Sequence, residues 1–148
     1  MKKTIAMMLL FCLMTIGLVG CQRQSDPVDS KAGIAAYMTT ARAQSDAIKT
    51  SLEKDALTQN ELNQKSGELY DLWEKAMNRL LEEAEKTLPA AEKAKLTAEQ
   101  SAWLETRTQA MDAAGKDVEG GSVYALVVNM EAARLTEART NELYELLK

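Results

Sequence analysis

Thr58-Gln59-Asn60-Glu61-Leu62-Asn63-Gln64-Lys65-Ser66-Gly67-Glu68-Leu69-Tyr70-Asp71-Leu72-Trp73 decides the fold. A hydroxyl at Thr58 is followed three residues later by Glu61. This is a capping box, in which each side chain satisfies a backbone donor that the helix start would orphan. Leu62, Ser66, Leu69 and Trp73 then recur at intervals of three and four, and Ala76, Leu80 and Ala84 continue the series. Such spacing places all seven on one face of a helix. Gly67 interrupts it at about 1 kcal/mol relative to Ala; it marks either a close helix approach or a neutral position.

Upstream, Ile34, Met38, Ala41, Ser45, Ile48 and Leu52 form a second apolar stripe, predicting a helix from about Ser30 to Asp55. Downstream, two starts compete for a third helix: Pro89, tolerated in a first turn, and the capping-box pattern Thr97-Ala98-Glu99-Gln100. The earlier start is preferred. Leu96, Gln100, Trp103, Arg107, Ala110 and Ala114 share one face of this helix, and Leu104 and Met111 widen it. Gly115 reads as its C-cap. Residues 115–122 hold three of the seven glycines and form the main loop. Ser122 is read as the N-cap of a fourth helix, with Val128, Ala132, Leu135, Arg139, Glu142 and Leu146 on one face. No stretch alternates with period two. The expected architecture is an all-α, antiparallel four-helix bundle-like domain.

The 148 residues are 46% hydrophobic and 27% charged, enough for one domain. There is no His, which removes the commonest general base and metal ligand. A Ser-His-Asp triad and a Glu-x-x-His di-iron site are excluded. The acidic run Glu82, Glu83 and Glu85 is spread around a helix surface. No enzyme activity, cofactor or metal is expected, and an acidic chain without a basic-aromatic stripe is not expected to bind nucleic acid.

The first twenty residues read as an address. Lys2 and Lys3 precede a charge-free run from Thr4 to Val19, which ends in Leu18-Val19-Gly20-Cys21. This resembles a bacterial lipobox. Residues 1–20 are expected to be a lipoprotein signal peptide, Cys21 to carry lipid, and residues 21–30, with Pro27, to be a flexible tether. Residues 31–148 form the domain. In enterobacteria-like sorting an Asp after the Cys means retention at the inner membrane, so with Gln22 the outer membrane, facing the periplasm, is the expected location. Without Lys2 and Lys3, 16 basic residues face 22 acidic ones, a net charge of −6. Cys12 leaves with the signal, so no thiol remains for a disulfide.

Two local features stand out. Gln100, Trp103 and Arg107 share a helix face, and the Arg107 guanidinium can rest on the Trp103 indole. The preferred reading is structural. A buried Arg107 would need a partner, with Glu142 and Glu68 as candidates. The second feature is the loop with Lys116, Gly120, Gly121 and Ser122. Asp117 and Glu119 beside it argue against an anion site and for a turn that simply needs glycine; a partner-binding role for the loop stays open.

Taken in order, Leu62-Asn63, Leu69, Leu96, Gln100, Trp103, Arg107, Gly120-Gly121-Ser122, Thr136, Arg139 and Leu143 resemble the lysozyme-inhibitor LprI-like family of bacterial envelope proteins, from about Thr58 to Leu146. Asn63, Gln100, Trp103, Arg107, Thr136 and Arg139 are then family-motif residues with structural roles. The chain departs from the family in two ways. Members commonly carry Cys staples, and Met111 stands where one is expected; Ser66 stands where an aromatic is common. The resemblance implies a lipoprotein that binds and inhibits lysozyme. The alternative is a non-catalytic adaptor lipoprotein for another envelope protein. A carrier of an apolar ligand between the helices is a third, weaker option.

Overall fold

A computed structural model describes residues 31–148. The expected signal peptide, Cys21 and the tether lie outside the described residues. Four helices follow one another: α1 (Lys31–Lys54), α2 (Gln59–Thr87), α3 (Ala90–Gly115) and α4 (Tyr124–Leu147), with a single 3-10 turn (Lys116–Val118) after α3. No strand occurs among the described residues, and no described helix is long and apolar enough to cross a membrane.

The capping box forms as the sequence predicts. Thr58 is the N-cap of α2, its backbone N–H donates to Glu61 Oε2 at 2.8 Å, and its hydroxyl accepts from the Glu61 N–H. The Thr58 bonds hold the Glu61 carboxyl below the usual carboxylate range. α3 begins at Ala90 with Pro89 as N-cap, so the earlier of its two predicted starts is the real one. Thr97 lies inside the helix, where its hydroxyl donates back to the Lys93 carbonyl.

α2 and α4 are the spine, and they run parallel. Asn63 lies near Ser122, Ser66 near Asn129 and Trp73 near Thr140, so position advances along both helices in the same direction. α1 and α3 run antiparallel to them on the two flanks. On one side Ser45 meets Trp73, Lys49 meets Glu137 and Arg42 meets Asn141. On the other, Gln100 meets Arg139 and Arg107 meets Thr136. Side chains at the spine are small: Ala76 and Ala84 on α2, Ala132, Ala133, Thr136 and Thr140 on α4, all fully buried or nearly so. Small side chains let the two backbones approach closely, and the larger Trp73, Leu69, Met77, Leu80 and Leu143 fill the remaining space. Among the described residues, the buried apolar side chains run from Ile34 to Leu147. Residues 31–148 contain no Cys, so this core is held by packing without a disulfide.

The stripes predicted for α1 and α2 face this core. Ile34, Met38, Ala41 and Ser45 are buried on α1, and all of the α2 series from Ser66 to Ala84 is buried. Two helices differ from expectation. On α4 the buried face is Ala132, Ala133, Thr136, Thr140, Leu143 and Leu147, whereas Leu146 is 48% exposed and Glu142 points to solvent. Hydrophobicity alone misplaces this face because its centre is two threonines. Their hydroxyls are satisfied within the helix, Thr136 donating to the Ala132 carbonyl and Thr140 to that of Thr136, both at 2.7 Å. Buried hydroxyls with such partners avoid the cost of an unmade hydrogen bond. On α3, Leu104 is exposed and does not widen the apolar side.

Gly115 is not a left-handed C-cap. Its φ is −76°, inside the right-handed region. It is glycine for another reason: a Cβ there would lie 2.7 Å from Tyr124 Cε2 and 2.8 Å from Val128 Cγ2. The end of α3 thus touches the start of α4 across the loop. At Gly67 an added Cβ would meet only Asn129 Nδ2 at an ordinary 3.5 Å, so no close helix approach requires that glycine.

Candidate functional site: the Lys116–Ser122 loop and its supports

The family-motif residues divide into two groups in space. Gln100, Trp103, Arg107, Thr136 and Arg139 form a polar seam between α3 and the spine. Asn63 sits at one end of the molecule and holds the loop that contains Lys116, Gly120, Gly121 and Ser122.

The seam is a set of contacts between helices. Arg107 is 9% exposed and forms a short ion pair with Glu74 of α2. Its Nη1 also donates to Thr136 Oγ1 at 3.2 Å. The guanidinium carbon lies 4.9 Å from the centre of the Trp103 ring and 5.5 Å from that of Tyr70, within the range of cation–π attraction. Neither carboxylate expected for Arg107 takes that role. Glu142 pairs with Arg139 at 2.8 Å on its own helix, and Glu68 accepts from Gln64. Glu74 was missed because it lies one position beyond Trp73, off the apolar stripe; an Arg buried on a facing helix is satisfied from the stripe's edge. Burial raises the Tyr70 phenol above its ordinary value, and the nearby Glu74 carboxylate adds to this. One turn away, Arg139 Nε donates to Gln100 Oε1 at 3.0 Å, and Gln100 Nε2 points at Met77 Sδ at 3.4 Å. The seam ties three helices together, which is the work disulfides do in a stapled domain. Trp103 shields Arg107 from its half-buried position, and the aromatic that fills the core is Trp73, whose indole N–H donates to Ser45 Oγ at 3.1 Å.

The loop is exposed and fixed in shape. Lys116, Gly120, Gly121 and Ser122 are all exposed. After the 3-10 turn, the Gly121 N–H donates to the Val118 carbonyl at 3.0 Å, and the Tyr124 N–H donates to the Gly121 carbonyl at 3.1 Å. Gly120 has φ +73°, a left-handed conformation that strains any other L-residue. At Gly121 a Cβ would sit 3.1 Å from the Val118 carbonyl oxygen, so the tightness of the turn excludes a side chain there. Ser122 is not the N-cap of α4. Val123 takes that position without a side-chain cap, and the Ser122 carbonyl instead accepts from Asn63 Nδ2 at 2.9 Å. Asn63 is itself held: its Oδ1 accepts from Gln59 Nε2 at 2.9 Å. Asn129, which the sequence did not single out, donates to Ser66 Oγ at 3.3 Å and so ties α4 to α2 just beneath the loop.

Fold and site together define a small all-helical domain that presents one clamped, solvent-facing loop at an end of its spine. The family model described as Lysozyme inhibitor LprI matches residues 50–143, and the chain belongs to that family. No curated protein and no solved structure matches it.

Proposed function

We propose that this protein is a lipid-anchored envelope protein that binds lysozyme and inhibits it by presenting the Lys116–Ser122 loop to the enzyme's cleft. Family membership supports a lysozyme partner and a non-catalytic role. The observation that carries the reading is the loop's construction: exposed, tightly turned, and tied to α2 through Asn63. A preorganised loop loses little entropy on binding.

Its position also fits. α1 starts at Lys31, whose Nζ donates to the Lys148 carbonyl at the end of α4. The loop lies at the start of α4, a 24-residue helix about 36 Å long at 1.5 Å per residue. A lipid on Cys21, reached through residues 22–30, would enter beside Lys31 and leave the loop at the far end of the bundle. The expected net charge of −6 would steer a cationic lysozyme toward this surface. Within the cleft, the Lys116 ammonium or the Ser122 hydroxyl would meet the pair of carboxyl groups that glycosidases use. Gln22 after the lipidated Cys favours the outer membrane, facing the periplasm.

The test mixes the soluble 22–148 domain with several lysozymes and follows cell-wall lysis. Inhibition near stoichiometric amounts, weakened by Lys116→Glu, is the expected result. Undiminished lysis at large molar excess would rule the reading out.

A further inference from the structure

Beside the loop runs an apolar groove. α1 meets the C-terminal half of α4 through side chains, where Lys49 pairs with Glu137 at 2.7 Å and Arg42 donates to Asn141. Next to these bonds lies a groove of about 670 Å³ with lining residues from all four helices. Leu62 and Leu69 of α2 and Leu126, Val127 and Met130 of α4 are among its lining residues. The volume falls within the range of sites that take large side chains or small ligands.

The groove is continuous with the loop. Its walls include Ala114, just before the loop, and Leu126 just after it, while Leu62 precedes Asn63, the residue that clamps Ser122. Its rim has a defined charge pattern. Lys49 is paired with Glu137, and Arg134 with Glu131 at 2.7 Å. The Arg134 bond keeps the Glu131 carboxyl below the usual carboxylate range, so this pair is ionised at neutral pH. Glu53, the remaining rim carboxylate, has no cationic partner among the described residues. Asp112, Asp117 and Glu119 are exposed around the same end.

We propose that loop and groove are a single docking surface, and that the groove takes a segment of the same cationic partner in which an apolar side chain is followed closely by Lys or Arg. The apolar side chain seats over Leu62, Leu69, Leu126 and Met130, and the cation pairs with Glu53. This inference rests on the lysozyme reading and adds a second anchor to it. It gives a use to an apolar groove that opens beside the loop and carries a carboxylate on its rim: an apolar anchor set within a polar rim is a common interface arrangement.

The experiment measures lysozyme binding to the 22–148 domain by calorimetry for wild type, Glu53→Lys, Val127→Glu and Lys116→Glu. Thermal melting verifies that each variant is folded. Uptake of a fluorescent fatty acid by the wild-type domain is measured alongside. The expected result is that Glu53→Lys and Val127→Glu each weaken binding at least about tenfold at low salt. The Glu53→Lys effect should shrink as salt rises, whereas that of Val127→Glu should persist. Wild-type binding that survives both groove variants to within about twofold, yet falls with Lys116→Glu, overturns the groove and leaves the loop reading intact. No wild-type binding overturns both. Saturable fatty-acid uptake that lysozyme does not displace assigns the groove to an acyl chain and also overturns the proposal.

Discussion

Replacing Glu74 by Gln removes the carboxylate that neutralises Arg107 and leaves the shape of the seam nearly unchanged. The cost follows from how little water reaches the cation. The Arg107 side chain is 10% exposed, between the Trp103 and Tyr70 rings, and its Nε already lacks a hydrogen-bond partner. Breaking a fully buried pair from one side costs about 3–5 kcal/mol, because a charge is left uncompensated. Glu74 is itself 30% exposed, so water screens part of the pair, and the expected loss is about 2–3 kcal/mol. Arg107→Met should cost less. The orphaned Glu74 can hydrate, and what is lost is mainly ring stacking worth about 1–2 kcal/mol. The double variant should then lose at least about 1 kcal/mol less than the sum of the singles. Urea unfolding followed by far-ultraviolet circular dichroism measures all three. A Glu74→Gln cost below about 0.5 kcal/mol, the level of an ordinary surface pair, would refute the claim that this seam replaces staples.

Further predictions concern the glycines, the clamp and the tyrosines. Gly67→Ala should raise stability by about 1 kcal/mol, since its added methyl meets only an ordinary contact. Gly115→Ala should lower it by about 1–3 kcal/mol through overlap with Tyr124 and Val128; thermal melts of the pair test both signs together. Asn63→Ala should leave the spine intact and accelerate amide exchange at Val123 and its loop neighbours, because the Ser122 carbonyl loses its anchor. Unchanged exchange there would show that the backbone turn alone fixes the loop. Tyr37 and Tyr70 titrate above the ordinary 10.0 because burial disfavours the phenolate. Their neutral forms therefore stabilise the fold fully below the unfolded value, and this contribution is lost as pH rises through the folded values. Tyrosinate absorbance against pH, compared between wild type and Tyr70→Phe, measures the shift.

The sequence states the helices plainly where physics is local. A capping box at Thr58 and a three-four apolar period leave few alternatives for α1 and α2, whereas Pro89 and Thr97 offered two starts for α3. It is less explicit where burial and hydrophobicity part company. The inward face of α4 is centred on Thr136 and Thr140, polar side chains whose hydroxyls are satisfied by their own helix. The partner of Arg107 lies on another helix, and pairing across helices has no fixed sequence offset. Gly115 and Ser122 show the same limit: their roles depend on Tyr124 and on Asn63, which only the folded chain brings near. The site was half legible. Resemblance drew attention to the loop and to Asn63 separately, but not to their bond. The groove went unread, because its walls come from all four helices.

Occupation of the lysozyme cleft is the central claim, and competition with a chito-oligosaccharide tests it most directly. The 22–148 domain is titrated into lysozyme with and without saturating oligosaccharide. If the loop enters the cleft, the apparent Kd for the domain should rise in proportion to oligosaccharide concentration, with no ternary complex. An apparent Kd that does not change, with sugar and domain bound together, would contradict the account.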